Sequence, residues 1–231
     1  MINSTNAHSI IDQYTNTTEQ FLTSEQRQMT GAHNGIPMFI QRSVAFVALV
    51  MLSPLLLIAM LLIRLESKGS CFFSQDRIGK YGRHFKMYKC RSMYLKTDAR
   101  YSEPDPSTSD RDGICKKYKN DPRISIVGAF IRKFSIDELP QLINIVKGDM
   151  ALIGPRPALA IEVNAYPTSA LCRLNGMPGL SGLWQVSGRA DTDFDTQIEL
   201  DDRYLKKQSI GYDIRILLAT LPCVIGARGA Y

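Results

Sequence analysis

The 231 residues are enough for one medium domain with its own core, and 28 Lys and Arg against 22 Asp and Glu leave a net charge of +6. That modest surplus is compatible with anionic lipid, a phosphorylated small substrate or nucleic acid, and charge alone does not choose among them. Five scattered cysteines (Cys71, Cys90, Cys115, Cys172, Cys223) and three histidines (His8, His33, His84) show neither a disulfide framework nor a metal-ligand spacing, so reduced thiols are expected.

Residues 1–38 are rich in Ser, Thr, Asn and Gln and hold only short apolar pairs, so a polar, disordered or loosely helical tail is expected. A polar stretch of this length ahead of the first apolar run argues against a secretory signal peptide. The run itself, from Ser43 to Ile63, is uncharged and 21 residues long. As a straight helix it would reach ~31 Å, enough to cross a hydrocarbon core.

Two details complicate a simple span. Pro54 has no N–H for the carbonyl four residues back and predicts a kink, while Ser53 is expected to turn its hydroxyl to the Leu49 carbonyl. Basic residues also flank both ends (Arg42 before, Arg64 and Lys68 after), which would keep both in the cytoplasm. A spanning helix and a bent helix that leaves by the leaflet it entered both fit these residues.

From Lys68 onward the pattern is that of a compact mixed domain. Cys71–Gln75 and His84–Tyr88 read as short strands joined by the Gly-containing turn 78–82, a hairpin. Residues 98–120 read as a polar loop or lid, and Ile124–Val146 has helical periodicity broken near Ser135. The last apolar stretch, Ile214–Ile225, contains Pro222 and is too short to span, which leaves an interfacial or a core helix.

The segment from Arg132 to Gln141 carries the most chemistry. Ser135 with Glu138 three residues later matches a capping box, a common device in which both side chains merely start a helix. Pro140 fits the box poorly and would move the helix start a residue or two along. In either placement Asp137 lies at a helix N-terminus, where free N–H groups favour phosphate. A bare carboxylate there repels phosphate unless arginines, such as Arg132, or a divalent cation offset it, and Mg²⁺ held by one carboxylate and substrate phosphates is the usual solution. Lys89 and Arg91 follow the second strand, Arg156 sits between Pro155 and Pro157, and Arg189 follows Gly188. Each alone is an ordinary surface cation; several on rigid frames could clamp a diphosphate.

Five elements occur in order. They are Phe73, Gln75, Arg77, Gly79, Gly82 and Phe85 running on to Tyr88-Lys89 and Arg91-Ser92-Met93; Asp121-Pro122-Arg123-Ile124; Ser135, Asp137, Glu138 and Gln141; Lys147-Gly148-Asp149-Met150 through Gly154-Pro155-Arg156-Pro157; and Pro178-Gly179, Gly182 and Trp184-Gln185 through Gly188-Arg189. From about residue 39 to the end this series resembles the bacterial sugar transferase family, the monotopic phosphoglycosyl transferases.

The resemblance implies transfer of a phosphosugar from a UDP-sugar to undecaprenyl phosphate with release of UMP, early in exopolysaccharide, capsule, O-antigen or glycoprotein glycan assembly. Asp137 would be the nucleophile that forms an aspartyl–phosphosugar, Glu138 the second carboxylate, and Asp137 also the Mg²⁺ ligand. Lys89, Arg132, Arg156 and Arg189 would hold phosphates, and Ser53-Pro54 would break a re-entrant membrane helix. It also implies contact with membrane lipids of the bacterial inner membrane, an active site on its cytoplasmic face, room for a homodimer, and downstream glycosyltransferases that use the product.

The expected fold is therefore α+β and mainly helical. It has a kinked re-entrant helix over 39–68, and a cytoplasmic domain over 69–231 with amphipathic interfacial helices and a small β-hairpin. Departures from the family pattern are Met177 where arginine is frequent, Ser181 where threonine is common, and no acidic residue just before Ser43. With only a polar tail before its apolar segment, the chain resembles the minimal catalytic form. A catalytically silent membrane scaffold is the competing expectation. A nucleic-acid binder would need interleaved basic and aromatic residues that the sequence lacks.

Overall fold

The computed structural model describes residues 34–105, 107, 109, 118, 120–188 and 193–226. The expected polar tail lies almost wholly outside them, as does much of the 98–120 loop.

The apolar run forms one continuous helix, α1 (Met38–Glu66), with Pro54 inside it. Its buried residues, Gln41, Ala45, Leu56, Ala59 and Ile63, recur at helical spacing along a single narrow stripe. Around the rest of its circumference large apolar side chains such as Phe46, Met51, Leu57 and Leu61 are exposed. The Ser53 hydroxyl donates to the carbonyl of Val50 at 2.7 Å. The expected partner, Leu49, is thus corrected, for a simple reason: Val50 is the residue whose carbonyl loses its N–H partner to Pro54.

Strands β1 (Phe72–Ile78) and β2 (His84–Cys90) pair antiparallel, in register from Phe72 opposite Cys90 to Ile78 opposite His84. The hairpin is the one expected, with longer strands. Its turn is a 3₁₀ segment, Lys80–Gly82, in which Tyr81 and Gly82 take φ of 57° and 79°.

Helix α2 (Ile126–Lys133) starts where the Ser125 side chain accepts the Gly128 N–H. A 3₁₀ turn (Ile136–Glu138) leads to α3 (Gln141–Lys147), which ends at Gly148 in the left-handed region, φ 91°. Two three-residue strands follow, β3 (Ala151–Ile153) and β4 (Gly179–Ser181), paired in parallel. Between them lie α4 (Ala160–Asn164) and the 3₁₀ segment Thr168–Asn175. The chain closes with α5 (Leu183–Val186), α6 (Phe194–Lys207) and α7 (Ile210–Ile225). Among the described residues the fold is α+β and mainly helical.

Two apolar clusters hold these elements together, and α1 contributes to both. Ala45 packs with Phe85, Met87, Ile145, Met150, Tyr204 and Ile216; Leu56, Ala59 and Ile63 pack with Cys90 and Ile131. Polar ties fix both ends of α1 to the same body. At its start, Gln41 is fully buried, accepts the Leu152 N–H at 2.7 Å and donates to Ile36, while Arg42 donates to the Val146 carbonyl at 2.8 Å. At its end, Arg91 donates to the Lys68 and Ser67 carbonyls at 2.6 and 2.8 Å, and Glu66 accepts the N–H groups of Ile126 and Val127.

Helix α7 has two faces. Asp213 and Ile216 are buried, whereas Ile210, Ile214, Leu218 and Leu221 are exposed. Ile126 and Phe130 of α2 are likewise exposed, so further apolar surface adds to that of α1.

Candidate active site

The hairpin forms one wall of an open cleft of about 690 Å³. Alternation along β1 puts Phe73, Gln75 and Arg77 on its cleft face, with Lys89 and Met87 opposite Phe73 and Gln75 on β2. Arg132 of α2 and the Asp137–Glu138 turn line the cleft as well, and Arg156, Trp184 and Gln185 are among its lining residues.

The turn that carries the two carboxylates has an unusual entry. Ser135 takes the left-handed conformation, φ 55° and ψ 22°, and its side chain makes no capping hydrogen bond. The expected capping box is therefore absent. A helix cap needs an extended Ncap backbone, and Ser135 instead reverses the chain after α2. For a residue with a side chain that conformation costs ~1–2 kcal/mol. The regular helix begins only at Gln141, behind Pro140, so Asp137 sits in the preceding 3₁₀ turn.

Asp137 is only 8% exposed. Burial pushes its carboxyl up to about 6; Lys89 and Arg132 pull the other way, and the neighbouring Glu138 carboxylate adds to the rise. Glu138 accepts from Lys89 Nζ at 2.6 Å, a partly exposed pair at the cleft wall. A buried carboxylate whose pKa is raised toward neutrality, with two cations beside it, marks a candidate functional group.

Of the residues singled out from sequence, Lys89, Arg132, Asp137, Glu138 and Arg156 all line this one cleft. Arg189 lies outside the described residues, and Ser53 and Pro54 lie within α1, apart from the cleft lining. Arg91 is buried and its guanidinium holds the end of α1. Arg77 and Trp184 join the cleft lining without having been expected there. Arg77 is legible as the third member of the alternating series Phe73, Gln75, Arg77; Trp184, whose ring centre lies 5.9 Å from the Arg156 guanidinium, stands in the fifth motif element without a role attached to it.

Among the described residues no group of three His, Cys, Asp or Glu forms a ready-made metal cage. Two adjacent carboxylates on an open turn nevertheless suit a hard cation such as Mg²⁺, which keeps waters and takes remaining ligands from phosphates.

Residues 33–227 match the family model described as bacterial sugar transferase. The chain belongs to the bacterial sugar transferase family. It is 41% identical over 190 residues to the exopolysaccharide production protein ExoY of Rhizobium meliloti, covering 81% of this chain and 84% of that one. It is 43% identical over 166 residues to the undecaprenyl-phosphate galactose phosphotransferase of Salmonella typhimurium, 71% of this chain but 35% of that longer protein. A third relative, the UDP-glucose:undecaprenyl-phosphate glucose-1-phosphate transferase of Caulobacter vibrioides, is 36% identical over 187 residues, 78% of this chain and 66% of its own. The family expected from the motif series is thus the family found.

Proposed function

We propose that this sugar transferase moves a phosphosugar from a UDP-sugar to undecaprenyl phosphate, with Asp137 as the nucleophile. The observation that carries this is the placement of Asp137: buried, raised to about 6, and flanked by Lys89, Glu138 and Arg132 in one cleft. A carboxylate oxygen of Asp137 attacks the β-phosphorus of the donor. The bond from that phosphorus to the bridging oxygen breaks, UMP leaves with the electron pair, and the phosphosugar stays on Asp137 as an acyl phosphate. A phosphate oxygen of the acceptor then attacks the same phosphorus and frees the carboxylate.

Lys89 and Arg132 attract the diphosphate and offset charge that builds on its oxygens. Arg156 takes a second part of the anion at the other end of the hairpin face. Mg²⁺, held by Asp137 with Glu138 beside it, would supply further neutralisation of the diphosphate when bound. The convergence of two carboxylates and three cations weighs against a catalytically silent scaffold.

Topology supports the same reaction. Because each end of α1 is tied to the same compact domain, the helix fits a re-entrant or interface-embedded arrangement with both ends at the cytoplasmic face of the inner membrane. The exposed apolar faces of α1, α2 and α7 then meet lipid, and the cleft stands at headgroup depth. A soluble nucleotide-sugar and a lipid phosphate can both reach Asp137 there.

The test is UMP release by the purified full chain from a panel of UDP-sugars, with Mg²⁺ and undecaprenyl phosphate. The names of the relatives cite galactose and glucose, so both head the panel. Release dependent on lipid and lost in Asp137→Asn supports the mechanism. Undiminished release by Asp137→Asn would show that another group is the nucleophile.

A further inference from the structure

Behind the Arg156 end of the cleft lies a buried carboxylate that the transfer chemistry does not use. Glu162 of α4 is 5% exposed. Its Oε1 accepts from Arg156 Nη1 at 2.8 Å, its Oε2 accepts the backbone N–H of Leu159 at 2.6 Å, and Arg77 Nη1 lies 3.9 Å from Oε2. Arg156, by contrast, has a side chain 24% exposed and lines the cleft. Glu162 is too enclosed to meet a substrate itself, so any influence passes through its arginines.

The geometry fits a preset cation. The Leu159 N–H fixes one carboxylate oxygen, which leaves the other at a fixed place for the Arg156 guanidinium before any ligand arrives. Two guanidiniums, those of Arg156 and Arg77, lie at this one carboxylate. The second backbone tie acts in the same sense: the Arg156 N–H points to Asp201 Oδ2 at 3.3 Å, and that oxygen also takes both Nε and Nη2 of Arg173. Both the main chain and the side chain of Arg156 are therefore held from behind.

We propose that Glu162 is a positioning residue for donor binding: it orients Arg156, with Arg77 alongside, toward the anionic diphosphate of the nucleotide-sugar. This rests on the donor assignment above. A carboxylate is needed because both oxygens accept. A glutamine would turn its NH₂ toward either the Arg156 guanidinium or the Leu159 N–H, donor against donor.

The experiment is calorimetric UDP binding to the detergent-solubilised full chain with Mg²⁺, together with steady-state kinetics. E162Q should weaken UDP binding about tenfold, in line with the loss of one charge-assisted hydrogen bond. The donor KM should rise in step while kcat and the acceptor KM hold, and E162D, which keeps the charge, should recover most of the loss. In an R156A background E162Q should add nothing, because the effect runs through Arg156. Equal UDP affinity in E162Q and wild type, or an equal loss with and without Arg156, would overturn the proposal. If E162Q fails to fold, E162A, which also removes the charge, alone and in the R156A background gives the same cycle. Wild type that binds no UDP would overturn the donor assignment as well, which separates the two failures.

Discussion

Lys89 Nζ lies 2.6 Å from Glu138 Oε1, so a residue of the hairpin is bonded directly to the neighbour of the proposed nucleophile. As a partly exposed pair it contributes no more than about 1 kcal/mol to stability. Its larger consequence is electrostatic, because Lys89 lowers the Asp137 pKa while Glu138 raises it.

The first prediction is a pH profile. Asp137 attacks as the carboxylate, so donor kcat/KM should fall with decreasing pH through about 6. Lys89→Met removes a charge that favours the ionised form and should move this acid limb to higher pH. Glu138→Gln removes a repelling charge and should move it to lower pH. Single-turnover UMP release across pH 5–8 reads both. A limb that stays put in both variants would assign the ionisation to another group.

The second concerns the stability cost of the same carboxylate. The folded-state value of about 6 exceeds the ordinary 3.8, so the folded chain holds this proton more tightly than the unfolded chain. Ionised Asp137 therefore destabilises the fold at pH 7 and above. That penalty shrinks as pH falls through 6 and is gone below the unfolded value. At ~1.4 kcal/mol per pKa unit the full effect is at most roughly 3 kcal/mol. Asp137→Asn should thus abolish transfer yet raise Tm at pH 8, with the gain fading toward pH 4. A Tm lowered at pH 8 would show that the carboxylate makes stabilising contacts that outweigh its burial.

Much of this site could be read from the residues in order, and the limits are physical. The hairpin was legible because alternation and a glycine turn are local signals, and the α2–α3 break at Ser135 because periodicity fails there. The capping box failed because Ser135 adopts φ 55°, a backbone reversal that no spacing rule encodes. The parallel pair β3–β4 escaped notice since three-residue strands carry no pattern and their partners lie 28 residues apart, from Ala151 to Gly179. The burial of Glu162 and Asp201 beside arginines carries no local sequence signal, because it is a tertiary fact.

The third prediction turns on a glycine. Gly128 is within α2, where alanine would ordinarily gain about 1 kcal/mol of helix propensity. Here an added Cβ would come within 1.9 Å of the Ser92 carbonyl oxygen, which itself accepts the Ser125 N–H. Backbone cannot move aside cheaply, so Gly128→Ala should destabilise by about 1–3 kcal/mol despite the propensity gain. Displacing α2 also displaces Arg132, so the donor KM should rise. Thermal denaturation and donor kinetics measure the two effects together.

The fourth concerns how α1 meets the membrane. Arg42 at one end bonds the Val146 carbonyl, and Arg91 holds the Ser67 and Lys68 carbonyls just beyond the other. A helix that crossed the bilayer would have to give up one of these sets, leaving either the Val146 carbonyl or the buried Arg91 guanidinium without that partner. Cysteines introduced at Met38 and Lys68, in a background freed of the partly exposed Cys71, Cys172 and Cys223 and of Cys115, should therefore both react with a membrane-impermeant reagent from the cytoplasmic side alone. Pro54→Leu tests the role of the proline. Leucine restores the N–H to the Val50 carbonyl now served by Ser53, and should shift labelling at one end toward the opposite side; unchanged labelling would show that Pro54 does not set the topology. Labelling from opposite sides in the wild-type helix would establish a span and require the domain contacts at one end to be broken in the membrane.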